Sequence, residues 1–178
     1  MKYQVVILAG GESSRFFPFN GLHKSFFKIA GKTILERTVE SVRKLAPAEI
    51  LLVLGSKNFD KEKKVCEDKA VFKGVKYVRE ENPLGQADAI LSVKEFIKND
   101  FFVINANQFN FHKLADSFIS QHSESGDVVT VGITETDTPH KYGIVDLEND
   151  RLRGVIEKPE DCKEPSNLRL VGTYLFSK

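Results

Sequence analysis

Tyr3-Gln4-Val5-Val6-Ile7-Leu8-Ala9-Gly10-Gly11 is the stretch that decides the fold. A short, nearly continuous apolar run rich in β-branched residues reads as a strand buried on both faces, the signature of a parallel sheet. The run stops at two glycines, which let the backbone turn sharply at the strand end. Four more runs of this kind follow, at Ile50 to Leu54, Val75 to Val78, Phe101 to Ile104 and Val128 to Ile133. Between them the apolar residues change to helical spacing. Ile34, Leu35, Thr38, Val39, Val42 and Leu45 form one stripe after Gly31-Lys32-Thr33, and further helices are expected over Asn58 to Phe72, Gln86 to Ile97 and Phe111 to His122. The helix over Asn58 to Phe72 is rich in lysine and glutamate, with Val65, Ala70 and Val71 as its few apolar anchors. The alternation predicts an α/β domain with a doubly wound, mainly parallel sheet and right-handed crossovers.

After Thr134 the rhythm becomes strand and turn. Tyr142 to Leu147, Leu152 to Glu157 and Leu168 to Phe176 read as short strands, with Glu148-Asn149-Asp150 the clearest turn. The expectation is one domain over residues 1–178, with an α/β part at 1–134 and a β-rich extension at 135–178 that looks incomplete.

The 178 residues carry 26 basic and 25 acidic side chains, a net charge of +1. No bulk basic surface is available to hold nucleic acid by counterion release, so any anion must be bound locally. No apolar run approaches the roughly 20 residues of a membrane-spanning helix, and Met1-Lys2-Tyr3 leads into a strand unlike a secretory signal. Cys66 and Cys162 are far apart and form no C-x-x-C pair, which points to a reducing, cytoplasmic setting. The sequence gives no indication of oligomeric state.

The segment with chemical promise is Leu8-Ala9-Gly10-Gly11-Glu12-Ser13-Ser14-Arg15. Paired glycines bring backbone N–H groups close to a phosphate with no Cβ in the way, and an arginine at the far end of the loop clamps a polyphosphate. Neither G-x-x-x-x-G-K-[ST] nor G-x-G-x-x-G is spelled here, and a double glycine alone also fits an ordinary strand-to-helix turn. Phe16-Phe17-Pro18-Phe19 follows, its phenylalanines expected in the core, and then Lys24-Ser25-Phe26-Phe27-Lys28-Ile29-Ala30-Gly31-Lys32.

At this point the sequence resembles the sugar-1-phosphate nucleotidylyltransferases, whose opening pattern is L-A-G-G-x-G-T-R-L-x-P, then P-K-x-L-L-P-V and a G-K turn into the first long helix. Leu8, Ala9, Gly10, Gly11, Arg15, Pro18, Lys24 and Gly31-Lys32 match. Ser13 and Ser14 replace the usual Gly-Thr, and His23 replaces Pro. Ser13 is similar to the molybdopterin guanylyltransferase branch, which lacks the F-P pair. Asn82-Pro83-Leu84-Gly85-Gln86-Ala87 resembles the P-L-G-T-A segment that faces the nucleoside. Tyr142-Gly143, Glu157-Lys158-Pro159 and the Asn167 to Tyr174 segment with Val171 resemble the sugar-side motifs.

The resemblance implies transfer of a nucleotidyl group from a nucleoside triphosphate to a sugar 1-phosphate, with Mg²⁺ as cofactor. Arg15, Lys24 and Lys158 would be catalytic. Leu8, Ala9, Gly10, Gly11, Ser13, Glu80, Gly85 and Gln86 would line the nucleotide, and Gly143, Glu157, Asn167 and Val171 the sugar. Glu80 stands where thymidylyl- and uridylyltransferases carry Gln and guanylyltransferases Glu. A carboxylate accepts from the N1 and N2 edge of guanine, so GTP is favoured over UTP or dTTP, against the alternative of a solvated Glu80. Asn107 occupies the place of the family's metal-binding aspartate, and an amide lacks the charge that makes carboxylates the usual magnesium ligands. Whether the chain is an enzyme is therefore open. The alternatives are a non-catalytic nucleotide or nucleotide-sugar binding module and a molybdopterin-type guanylyltransferase. No hydrolase-like triad is expected among the four histidines, which are read as surface residues.

Overall fold

A computed structural model of the chain describes residues 2–178 apart from Glu12, Ser14, Arg15, Phe17, Phe19, Asn20, Pro83, Asp161 and Cys162. By packing, the chain divides into two compact units, Met1–Thr130 with Leu175–Lys178, and Val131–Tyr174. The fold is mixed α/β with a mainly parallel central sheet, as the sequence predicts.

The first unit contains β1 (Gln4–Ala9), β2 (Lys28–Ile29), β3 (Lys32–Thr33), α1 (Ile34–Arg43), β4 (Glu49–Gly55), α2 (Phe59–Glu67), β5 (Lys76–Glu80), α3 (Gln86–Leu91), β6 (Phe101–Asn105) and α4 (Ala115–Ser125). Its parallel strands run in the order β5-β4-β1-β6, with Val6 opposite both Leu51 and Val103. The central position of β1 explains its apolar run. Val5, Val6 and Ile7 are wholly buried, and each such side chain stabilises the fold by about 1.5–3 kcal/mol through loss of apolar surface to water. Phe102 of β6 sits at the heart of the core, its ring 5.6 Å from Tyr3, 5.0 Å from Phe111 and 6.0 Å from Phe118.

The strands agree with the sequence reading more closely than the helices do. The Gln86 to Ile97 period yields only the six residues of α3, because Ser92 Oγ donates to the Ala89 carbonyl at 2.7 Å and so competes with the helical ladder. The lysine-rich segment is helical only to Glu67, followed by a separate turn at Ala70–Phe72. There the better anchor is Cys66, a buried free thiol. Ahead of α1 the structure inserts a two-stranded hairpin, β2 with β3. Its Ala30 and Gly31 both have positive φ, as the primed turns of tight hairpins require. Thr33 ends that hairpin and caps α1: its hydroxyl accepts from the Glu36 N–H at 3.0 Å while Glu36 accepts from the Thr33 N–H at 2.7 Å, a capping box.

The expectation of surface histidines holds for His140, which is exposed, and fails for His122. His122 is buried, with Nδ1 2.8 Å from Thr130 Oγ1 and Nε2 3.0 Å from Ser177 Oγ. His23 is largely covered too, for reasons given below.

The second unit is β-rich. β8 (Gly143–Glu148) and β9 (Arg151–Glu157) form an antiparallel hairpin in which Glu148 faces Arg151. Asn149 and Asp150 close it, both at positive φ. β7 (Val129–Glu135) and β10 (Leu168–Phe176) pair with each other, and β10 also pairs with β8. At Leu175 the chain re-enters the first unit, where Leu175 is wholly buried and Phe176 stacks on Phe101 at 5.2 Å.

Candidate active site

The C-terminal ends of β1, β5 and β6 open onto a cleft of about 800 Å³. This is where ligands bind in open parallel sheets, because the strand ends and the loops after them converge there. Leu8, Gly10, Gly11, Lys24, Glu80, Gly85, Gln86 and Asn107 all line it, so eight of the residues singled out from sequence meet around one space. Phe16, His23, Ser25, Ile34, Ala89, Asn105 and Ala106 complete the lining. None of these seven was anticipated there, and Phe16 was expected in the core. Arg15 lies outside the described residues.

Two other anticipated residues serve the cleft from behind. Ala9 is buried within β1. Ser13, at φ 52°, accepts the backbone N–H of Lys24 on its hydroxyl at 2.9 Å, which ties the glycine loop to the turn carrying the lysine. A glycine missed by the sequence reading explains how close the loop can lie. A Cβ on Gly55, at the end of β4, would stand 2.6 Å from the Gly10 carbonyl oxygen. Backbone cannot yield as a side chain does, so Gly55→Ala should displace the glycine loop. The expected cost is about 1–3 kcal/mol, as for overpacking elsewhere, read as a lower Tm. An unchanged Tm would show that the loop moves freely there.

Glu80 is the electrostatic centre of the cleft. It ends β5, is only 4% exposed, and its Oε2 lies 1.8 Å from where a Cβ on Gly10 would stand. Among the described residues no group donates a hydrogen bond to its carboxylate. Burial, with the charge of Asp88 adding to it, holds its pKa above the usual carboxylate value. The solvated alternative is therefore the weaker one: this is a desolvated acceptor facing a cleft, with no donor to it among the described residues. Beside it Gly85 has φ 138° and ψ −177°, a conformation essentially confined to glycine. Gln86 Nε2 donates to Asn105 Oδ1 at 3.2 Å, linking the start of α3 to the end of β6.

Side-chain hydrogen bonds hold the Lys24 turn in place. Besides the Ser13 contact, the His23 N–H donates to Glu62 Oε1 at 2.6 Å, and His23 Nδ1 accepts from the Ser25 N–H at 3.3 Å and lies 2.8 Å from Ser25 Oγ. Burial, with the Lys24 charge beside it, pulls the His23 pKa down to about 4. The ring is neutral at physiological pH, as an Nδ1 acceptor must be.

The sugar-side candidates lie in the second unit. Gly143 faces Glu157 across the β8–β9 ladder, and a Cβ on Gly143 would stand 3.0 Å from Glu157 Oε2. Lys158, at φ 47°, donates its N–H to the Tyr142 carbonyl at 2.9 Å, with its ammonium 3.8 Å from Glu157 Oε1. Burial and then the Glu157 charge push the Tyr174 phenol upward. The Asn167 carbonyl accepts from the Thr136 N–H at 2.9 Å, and Val171 is half-buried in β10.

Asn107 is exposed and offers one neutral oxygen, and among the described residues no group of three or more His, Cys, Asp or Glu could hold a metal ion. This donor set does not fit a site that holds Mg²⁺ by protein carboxylates.

A glycine loop, a lysine and a buried acceptor thus surround one cleft at the strand ends of a mixed α/β sheet. The Nucleotidyl transferase family model matches residues 4–178, and the chain belongs to that family. It is 32% identical over 177 residues to the low-salt glycan biosynthesis nucleotidyltransferase Agl11 of Haloferax volcanii, covering 97% of this chain and 48% of that protein. It is 31% identical over 171 residues to the bifunctional protein GlmU of Methanococcus maripaludis, covering 95% of this chain and 39% of that protein. The chain thus spans half or less of the length of these curated relatives. In fold it is similar to a UDP-glucose pyrophosphorylase solved with UDP-glucose, with a TM-score of 0.80 at 22% identity over 99% of this chain and 76% of that one. Among the described residues no helix is long and apolar enough to cross a membrane.

Proposed function

We propose that the chain binds a nucleoside triphosphate in the first unit and a sugar 1-phosphate through the second, and transfers the nucleotidyl group between them in the cytoplasm. In this reading residues 1–134 serve the nucleotide and 135–178 the sugar phosphate. One observation carries it: Gly10, Gly11, Lys24 and Glu80 face a single cleft, which brings donors for the phosphates and an acceptor for a base around one space. Family membership and the names of its relatives support the same class of reaction.

An oxygen of the sugar phosphate attacks the α-phosphorus of the triphosphate, the bond to the bridging oxygen breaks, and pyrophosphate leaves. The nucleophile is already ionised, so no side chain need deprotonate it, and the protein's part is positioning and neutralisation of charge. Glycine-loop N–H groups and Lys24, together with Arg15, would hold the phosphates, and Lys158 the sugar phosphate. Glu80 would accept from guanine N1–H and N2–H. Mg²⁺ would reach the cleft on the triphosphate.

Asn107 favours a second reading, a binding module that takes the nucleotide or nucleotide-sugar without turning it over. The experiment that separates them incubates the chain with Mg²⁺, each triphosphate and a panel of sugar 1-phosphates. Pyrophosphate release, fastest with GTP, is expected for the transferase. A rise in Tm with nucleotide and no pyrophosphate would leave the binding module. No response to any triphosphate in either assay overturns both.

A further inference from the structure

Glu62 lies on α2, outside the cleft, yet it is 2% exposed and its carboxylate is spent on the backbone of the residue before Lys24. Burying a carboxylate costs several kcal/mol unless donors repay it. Burial pushes the Glu62 carboxyl upward, and the His23 N–H is foremost among the contacts opposing that shift. Lys24 itself is exposed, so no packing of its own side chain fixes where its ammonium points. Its backbone is fixed instead from two sides: Glu62 takes the His23 N–H and Ser13 takes the Lys24 N–H. We infer that Glu62 is a positioning residue for the phosphate-binding lysine, acting through the His23 N–H to hold the Lys24 turn against the glycine loop. The inference rests on the phosphate role of Lys24 proposed above.

His23 explains why a carboxylate is needed there. Its φ of −56° and ψ of 144° lie within reach of proline, whose ring would fix φ near −65° and remove the N–H altogether. With histidine the torsion is free and the donor is present, so an acceptor must both satisfy the donor and hold the torsion. Glu62 does both from 39 residues away. Any neutral acceptor in place of the carboxylate should therefore suffice, which gives the inference a test beyond simple loss.

The experiment measures GTP affinity in Mg²⁺ for the full chain and its variants, alongside Tm. Lys24→Ala is expected to weaken binding about tenfold, the usual scale for one charged phosphate contact. Glu62→Ala should weaken it by a similar factor, and the Lys24→Ala/Glu62→Ala double variant should bind no worse than Lys24→Ala alone, because both changes remove the same contact. Glu62→Gln, whose amide oxygen still accepts the His23 N–H, should stay within about threefold of the parent. Glu62→Leu, which fills the buried site without an acceptor, should bind GTP as weakly as Glu62→Ala, and it carries the test if Glu62→Ala does not fold. Additive losses in the double variant, or parent-like binding by Glu62→Ala, would overturn the inference. Parent-like binding by a folded Glu62→Leu would do the same. Equal binding by the parent and Lys24→Ala would instead remove the phosphate role of Lys24, and the inference with it.

Discussion

Glu80→Gln should weaken GTP binding by roughly 10–100-fold, since charge-assisted hydrogen bonds are worth about 1.5–3 kcal/mol each and the new amide turns a donor toward the donor edge of guanine. UTP, which offers one N–H between two carbonyls, should lose nothing or gain. The same substitution should stabilise the ligand-free chain at neutral pH. Glu80 has its pKa raised in the folded state by burial and by Asp88. Its ionised form therefore costs folding free energy above that raised pKa, and the cost disappears as pH falls through it toward the unfolded value. The Tm advantage of Glu80→Gln should accordingly be present at pH 7 and vanish in acid. Unchanged GTP affinity would sink the guanine assignment. An unchanged Tm at pH 7 would sink the account of Glu80 as a desolvated acceptor held ready for a ligand.

The second large effect is on stability. Phe102→Ala should cost about 3–5 kcal/mol, the range for deleting a large buried aromatic. That is a large share of the 5–15 kcal/mol that holds a typical domain together. Phe102 is wholly buried, with Tyr3, Phe111 and Phe118 around its ring, so the void has rigid walls and little can collapse into it. Thermal unfolding should show a fall in Tm of about 10 °C or more. Leu84→Ala, at an equally apolar residue that is 84% exposed, should stay within about 0.5 kcal/mol. Comparable losses for the two would mean that Phe102 is not the centre of the core.

Strands and the cleft were legible in the sequence for the same reason. Residues of a central parallel strand are buried on both faces, so Val5 to Ile7, Leu51 to Leu54 and Phe101 to Ile104 are apolar without interruption, and a glycine loop can only follow such a run at its C-terminal end. Helix ends were less legible. Ser92 stops α3 through a hydroxyl that a periodicity count treats merely as polar. The short hairpin of β2 and β3 has too few residues to show a period at all. Function-bearing contacts between distant segments were invisible: Gly55 against Gly10, and Glu62 against His23, join elements that nothing in the local sequence connects. His122 misled for a related reason. A buried histidine needs two partners, and Thr130 and Ser177 supply them from opposite ends of a long excursion of the chain.

That excursion begins after Thr130 and ends at Leu175, and the Ser177 N–H donates to the Val128 carbonyl at 2.9 Å, so the chain departs and returns at one neck clasped by His122. The second unit is nested inside the first as an insertion with both of its ends pinned. Such an arrangement closes the inserted loop once, at the neck, and leaves its interior free to vary in length and chemistry at little further entropic cost. The half that would choose the sugar can thus diversify while the half that would hold the nucleotide keeps its core.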